Sequence, residues 1–300
     1  MFRLFKTVFI FLLLLAPVTL CAQKYEQSVW LGYAEDSYTR IMQIDKQGNA
    51  YIIMASRYDI NFCGKPFERH AASDYSVIGK LNSAGKVLWS RTISPVNGGD
   101  QIYDLQVDEA QNVYISGAGY NIKLDDGETL PGGTFLVKLD KAGKTQWGVG
   151  AETYNGSAQI GGPIALSNDG VFWSSIFYAK INLQGYEFNA NVPNGGYPEG
   201  FVAKVNAAGK ITAIYHDPSV SSIPQILVSS GGESATAVMS RGGLPKFQVT
   251  LDANCKVVAE KPFILYGDFP APVRPIDNGY EMITSVYNPT PQRTRGFRLF

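Results

Sequence analysis

The chain has 300 residues, 45% of them hydrophobic and 17% charged, with 26 Lys plus Arg against 26 Asp plus Glu. That balance gives no bulk field to draw nucleic acid or an acidic membrane surface, and three Cys with two His exclude a multi-ligand Cys/His metal cluster. The 31 Gly, 16 Pro, 17 Tyr and 16 Phe point to many short strands and turns, away from a helical bundle, collagen or disorder.

The first segment reads as an address. Arg3 and Lys6 precede an apolar run ending at Leu15, Pro17 breaks it, and Leu20-Cys21-Ala22 offers a cleavage site before Gln23. The run is too short to span a bilayer comfortably, so residues 1–22 are expected to be a secretory signal, and the mature chain secreted or periplasmic without a membrane span. Lipid attachment at Cys21 is the alternative, against which Leu20 stands where a small residue is usual. Losing Arg3 and Lys6 leaves 24 basic and 26 acidic residues, a net charge of −2.

From there the chain repeats. A strand–turn–strand pattern recurs at Gln47, Ala110, Asp169, Gly231 and Asn278, roughly every 60 residues. Two columns precede the turn: Met42, Leu105, Ile164, Ile226 and Val273, then Ile44, Val107, Leu166, Val228 and Pro275. Members of one unit are two residues apart, the period of one strand face. A second hairpin turns at Ser83-Ala84-Gly85-Lys86, Lys141-Ala142-Gly143-Lys144, Ala207-Ala208-Gly209-Lys210 and Ala253-Asn254-Cys255-Lys256. Gly supplies the positive φ of such turns, and Asn254 is expected to take that role where Cys255 replaces Gly. A third column stands before these turns: Val77, Phe135, Phe201, Phe247 and Phe297, with Gly79, Val137, Ala203, Val249 and Leu299 two residues on.

Each unit therefore holds four strands, a to d. The expected fold is all-β: a single β-propeller domain over 23–300 with five four-stranded blades, near 36–94, 100–152, 159–217, 221–265 and 268–300. Aligned columns favour this over a β-sandwich. Strand d of the last unit would fall after Phe300, and residues 25–32, with Trp30 matching Trp89 and Trp147, are expected to supply it and close the blade; the alternative is a native chain that continues past Phe300 with further blades.

These residues resemble the seven-bladed-propeller type (SBBP) repeat of exported bacterial proteins. The resemblance rests on Gly99-Asp100, Val107-Asp108, Gln111-Asn112-Val113-Tyr114-Ile115 and Thr134 to Leu139. It extends to Ile44-Asp45, Gly48-Asn49-Ala50-Tyr51 and Gly200 to Asn206. It covers three units well and two weakly. It implies a propeller and no single activity. Gly85 to Trp89 is also similar to quinone-type propeller repeats, whose paired Cys and calcium carboxylates are not evident here.

Function is expected on the face bearing the long b–c loops. Three of them share a pattern, Ile60 to Gly64, Ile122 to Gly127 and Ile181 to Gly185, followed by Phe67, Leu130 or Phe188, and each reads as a small hairpin standing on that rim. Phe62, Leu124 and Leu183 inside the pattern are expected to pack the hairpins onto the blades. Tyr120, Tyr186 and Tyr197 lie outside it and are candidate ligand contacts, by stacking on sugars or burial against a protein. The d–a links bring Asp36, Ser37, Asp100, Gln159, Ser221 and Asp268 to the channel mouth. Asp36, Asp100 and Asp268 are candidate ligand contacts there, although capping of backbone N–H groups explains such residues as well. No metal site, cofactor or catalytic group is expected: His70 and His216 lie in different units, and Asp125-Asp126-Gly127-Glu128 lacks the ligand spacing of a calcium loop.

The expected function is that of an exported, monomeric, non-catalytic propeller binding a polysaccharide or an extracellular protein. The alternative is a carbohydrate-active enzyme, a glycoside hydrolase or lyase, using carboxylates at the channel mouth. Cys63 in a b–c loop and Cys255 in a c–d turn fall on opposite faces, too far apart for a bridge. Thiol titration of unreduced, unfolded protein spanning residues 23–300 should therefore find both thiols free, and a protected pair would contradict the blade assignment.

Overall fold

In the computed structural model the described residues are 38–68, 75–95, 101–119, 122–123, 127, 129–153, 159–190, 197–242, 246–262, 273–276 and 279–282. Among them there is no helix. Strand a of the first sheet is β1 (Tyr38–Ile44) and strand b is β2 (Ala50–Ser56). A side hairpin of β3 (Ile60–Phe62) and β4 (Lys65–Phe67) follows, then strands c and d, β5 (Tyr75–Leu81) and β6 (Val87–Pro95). Sheet two has β7 (Gln101–Val107), β8 (Val113–Gly119), the short β9 (Ile122–Lys123), β10 (Gly133–Leu139) and β11 (Thr145–Gly150), trailed by β12 (Glu152–Thr153). Sheet three has β13 (Gln159–Ser167), β14 (Gly170–Phe177), a hairpin of β15 (Lys180–Leu183) and β16 (Tyr186–Asn189), then β17 (Glu199–Asn206) and β18 (Ile211–Asp217). Sheet four has β19 (Val220–Val228), β20 (Ala235–Arg241), β21 (Lys246–Leu251) and β22 (Val257–Pro262); β23 (Val273–Ile276) and β24 (Gly279–Met282) form a further antiparallel hairpin. Four antiparallel a-b-c-d sheets thus follow one another along the chain.

One Asx residue organises each c–d turn and the first two a–b turns. In the c–d turns, Oδ1 of Asn82, Asp140, Asn206 or Asp252 accepts the N–H groups two and four residues on. Side-chain acceptors of this kind replace the ladder where the chain reverses. In the a–b turns, Oδ1 of Asp45 accepts from the N–H of Gln47 and Asn49, while Oδ2 accepts from Asn49 Nδ2 and the Tyr51 hydroxyl; Asp108 repeats the bonds to Asn112 and Tyr114. The positive φ of the fourth c–d turn falls on Cys255 itself (56°), not on Asn254: the hydrogen-bond frame fixes the position, so Cys255 bears the strain. The third a–b turn falls on Asn168 and Asp169. That turn is one residue shorter, and Gly170 opens β14, where a Cβ would lie 2.0 Å from the Val205 carbonyl oxygen.

Packing joins successive sheets face to face. One cluster combines Tyr51, Ile53 and Ile78 of sheet one with Leu105, Ile115, Phe135 and Val137 of sheet two. A second joins sheets two and three and a third joins sheets three and four. Phe135 and Phe201 are fully buried and Phe247 nearly so; Phe297 lies outside the described residues. Leu105, Ile164 and Ile226 are buried as their column requires, whereas Met42 is 46% and Ile44 51% exposed. Each column is covered by the preceding sheet, and no described sheet precedes the first.

The first strands lie side by side, β1 by β7, β7 by β13 and β13 by β19. Filling between the sheets farther out is specific. Trp89 of β6 lies against Gly143 in the next sheet's c–d turn, where a Cβ would come within 2.7 Å of the indole, and its Nε1–H donates to the Lys141 carbonyl at 2.9 Å. Trp147 repeats this on Gly209 and the Ala207 carbonyl. Between sheets three and four both partners change together: Ala213 takes the Trp position and buried Cys255 the Gly position.

The hairpins do not stand on a rim. β9 pairs with Ser94 and Pro95 of β6, and β15 pairs with β12 just beyond β11. β9 thus reaches back to the outer strand of the preceding sheet, and β15 to the segment just after it. Phe62 and Leu183 are fully buried, and Phe62 occupies the space that a Cβ at Gly79 would need; Leu124 lies outside the described residues. Sheet four has no hairpin. There Arg241 bridges the outer strands, bonding Asp217 of β18 at 3.1 Å and Glu260 of β22 at 2.9 Å, with its guanidinium 3.9 Å from the Phe247 ring centroid.

Paired replacement of Trp/Gly by Ala/Cys gives a direct test. Ala213→Trp alone should destabilise the chain by about 1–3 kcal/mol through overpacking. Adding Cys255→Gly should recover most of the loss, with a coupling above about 1 kcal/mol. Additive effects in urea denaturation would contradict the equivalence of the three contacts.

Candidate functional site

The first strands share an irregularity. Register shifts fall between Thr39 and Ile41 in β1, Ile102 and Asp104 in β7, Gly161 and Ile164 in β13, and Val220 and Gln225 in β19. A bulge frees a residue from the ladder and re-aims it. Counting back two residues from Leu105, Ile164 and Ile226, the same position is held by Tyr103, Gly162 and Pro224. A pocket of about 280 Å³ opens at these residues, lined by Tyr103, Gly161 to Pro163, Ser175, Ile176 and Ser222 to Pro224. It lies at the end of the sheets where the first strands begin and the second strands finish, the end from which the b–c connections leave.

Local packing explains the small residues. A Cβ at Gly161 would meet the Tyr103 ring at 2.5 Å, and one at Gly162 the Ser174 carbonyl oxygen at 2.5 Å. Neither position admits a side chain, so a large ring at Tyr103 stands beside bare backbone. The surrounding carbonyls are held: Ser116 Oγ donates to the Gly162 oxygen at 2.6 Å and Ser174 Oγ to the Pro163 oxygen at 2.7 Å. The Tyr103 hydroxyl donates to Gln101 Oε1 at 2.6 Å, and the residue is 38% exposed. Ser222 and Ser240 hydroxyls lie 2.7 Å apart. No charged side chain lines the pocket.

Asp104, next to Tyr103, ties two sheets together. Its Oδ2 accepts from the N–H of Ile164 at 2.9 Å and its Oδ1 from the N–H of Leu105 at 2.7 Å. Burial nevertheless pushes its carboxyl up to about 6, against the pull of these hydrogen bonds.

The sequence-predicted residues do not gather in one place. Tyr186 is 40% exposed near the tip of its hairpin, where Gln184 bonds Gly209 and Ile211 of the c–d turn. Tyr197 is 67% exposed and lies by Gly242 at the opposite end of the sheets. The two do not form one surface, because the hairpin lies along the sheets rather than on the rim. Tyr120, Asp36, Asp100 and Asp268 lie outside the described residues, as do His70, Asp125, Asp126 and Glu128 and the closing segment 25–32. His216 meets Glu199 at 2.8 Å and stacks on Phe188, centroids 4.6 Å apart, which fixes the hairpin to sheet three. Among the described residues no group of three His, Cys, Asp or Glu is placed to hold a metal, and no helix is long and apolar enough to cross a membrane. Cys63 and Cys255 are both free thiols.

Tyr103 is the functional candidate that the pattern reading missed. Its signal was available: in one aligned column the chain places Tyr, Gly and Pro where a regular strand would carry similar residues.

No known protein family and no curated protein matches the chain. Among solved structures it is similar to the hydrazine synthase of Kuenenia stuttgartiensis, with 10% identity over 77% of this chain and 68% of that one, at a TM-score of 0.43. It is also similar to a streptogramin B lyase structure, with 12% identity over 73% and 91%, at a TM-score of 0.20. These likenesses assign no residue of this chain a role.

Asp104 makes a pH prediction. Its carboxyl holds its proton more tightly folded than unfolded, so between about pH 4 and 6 the folded state binds more protons and stability falls as the pH rises. Urea unfolding across that window should show this slope, and Asp104→Asn should reduce it. An unchanged slope in the variant would remove Asp104 as its source.

Proposed function

We propose that the chain is an exported β-propeller that works as a binding module, taking a polysaccharide or an extracellular protein at the end from which the b–c connections leave. The pocket carries this reading. It is small and mostly apolar, with the Ser222 hydroxyl and one exposed aromatic ring, the composition of a recognition site. Tyr197, 67% exposed at the same end of the sheets, is the rim residue expected to add a second contact. Four successive sheets of one a-b-c-d plan, adjoining through their first strands, support the propeller reading. In this proposal residues 268–300 form a fifth blade completed by residues 25–32, residues 1–22 direct export, and the mature protein is a secreted or periplasmic monomer.

The alternative is a carbohydrate-active enzyme using Asp36, Asp100 and Asp268, which lie outside the described residues. Glycoside cleavage needs two carboxyl groups roughly 5–10 Å apart across a cleft. The carboxylate described beside the pocket, Asp104, is engaged by backbone N–H groups of two sheets.

The test is retention of protein spanning residues 23–300 on a panel of insoluble polysaccharides and a glycan array, without release of reducing sugar. Tyr197→Ala should weaken retention several-fold at unchanged melting temperature. Reducing-sugar release would establish the enzyme reading instead, and retention on no glycan would leave a protein partner as the ligand.

A further inference from the structure

We infer that the pocket between Tyr103 and Pro224 takes a single neutral sugar ring. The inference rests on the binding-module reading and names its ligand chemistry.

Three observations carry it. The first is size: about 280 Å³ is at the lower end for small-molecule sites and suits one ring rather than an oligosaccharide. The second is the distribution of polarity. Tyr103, Pro163, Ile176, Ile223 and Pro224 supply apolar walls, while Ser222, its hydroxyl 2.7 Å from that of Ser240, supplies a polar edge. A pyranose has the matching form, with a C–H face to lay on an aromatic ring and hydroxyls around its edge. The third is charge. No cationic side chain lines the pocket, and Asp104 stands behind it, bonded to Ile164 next to Pro163. A sugar carboxylate would lose hydration there with nothing to pair against.

The pocket also has a structural origin that leaves it open. Three successive first strands bulge at one position, and the middle one carries Gly162, where a Cβ is forbidden by the Ser174 carbonyl. The gap between Tyr103 and Pro224 cannot close by substitution of that residue without moving β14.

The probes are methyl glucoside, galactoside, mannoside and xyloside, methyl glucuronide, and N-acetylphenylalanine amide, each titrated into protein spanning residues 23–300 by calorimetry and saturation-transfer NMR. At least one neutral glycoside should bind, and methyl glucuronide at least about tenfold more weakly than the corresponding glucoside. Tyr103→Ala should weaken neutral binding by about tenfold or more and Ser222→Ala by a few-fold, with melting temperatures confirming that both variants fold. Neutral glycosides bound equally by Tyr103→Ala, no glycoside bound at all, or Tyr103-dependent binding of the phenylalanine amide alone would each overturn the inference. Polysaccharide retention that survives Tyr103→Ala would remove the pocket while leaving the binding-module reading intact. Glycoside binding without polysaccharide retention would do the reverse.

Discussion

Sheets that adjoin along their first strands must also be filled and fastened between their fourth strands. The chain meets this constraint in three ways. The indoles of Trp89 and Trp147 lie on glycines of the next sheet and satisfy their own N–H on its turn carbonyls. Side hairpins bury Phe62 in sheet one and Leu183 in sheet three, and β9 and β15 pair with the preceding outer strand or the segment just after it. Where sheet four has no hairpin, Arg241 links Asp217 and Glu260 over the Phe247 ring. The glycine at the turn is thus constrained twice, by its positive φ and by the ring above it. Its replacement by Cys255 coincides with loss of the Trp because the second constraint is relieved only then.

A second repeated device lies within the sheets. Lys80, Lys138 and Lys204 sit over the rings of Tyr51, Tyr114 and Phe172, and in sheet four both members become threonines bonded to each other, Thr236 and Thr250. Pairs change as pairs, since a lone member would leave a hole or an unshielded ring. The same economy shapes the pocket end, where tight backbone packing around Gly161 and Gly162 sets Tyr103 apart from its neighbours.

The repeat was legible because period-two columns and Gly-Lys turns are local signals; Phe135, Phe201 and Phe247 fall where their column places them. The burden carried by Cys255 was not, since a turn frame set by Asp252 has no local marker beyond the Asx itself. The hairpins were recognised but misplaced, because where a hairpin folds back depends on the gap between sheets, which no single unit contains. For that reason Tyr186 and Tyr197 read as neighbours in the sequence and lie at opposite ends in the fold. Met42 and Ile44 show the same lesson: a column predicts a face, and only the neighbouring sheet decides whether that face is covered. Tyr103 escaped notice because its meaning comes from Gly162 and Pro224, about 60 residues apart in each step.

The joining of the sheets depends on the outer-strand indoles being fastened to the next sheet in solution. The direct measurement is hydrogen exchange of the indole N–H groups of Trp89 and Trp147, assigned by Trp→Phe substitution. If the staples hold the sheets together, both should exchange as slowly as core amides of β5 and β10, opening only with the global transition. Exchange within seconds while those amides remain protected would show the indoles free in water and the sheets held by something else.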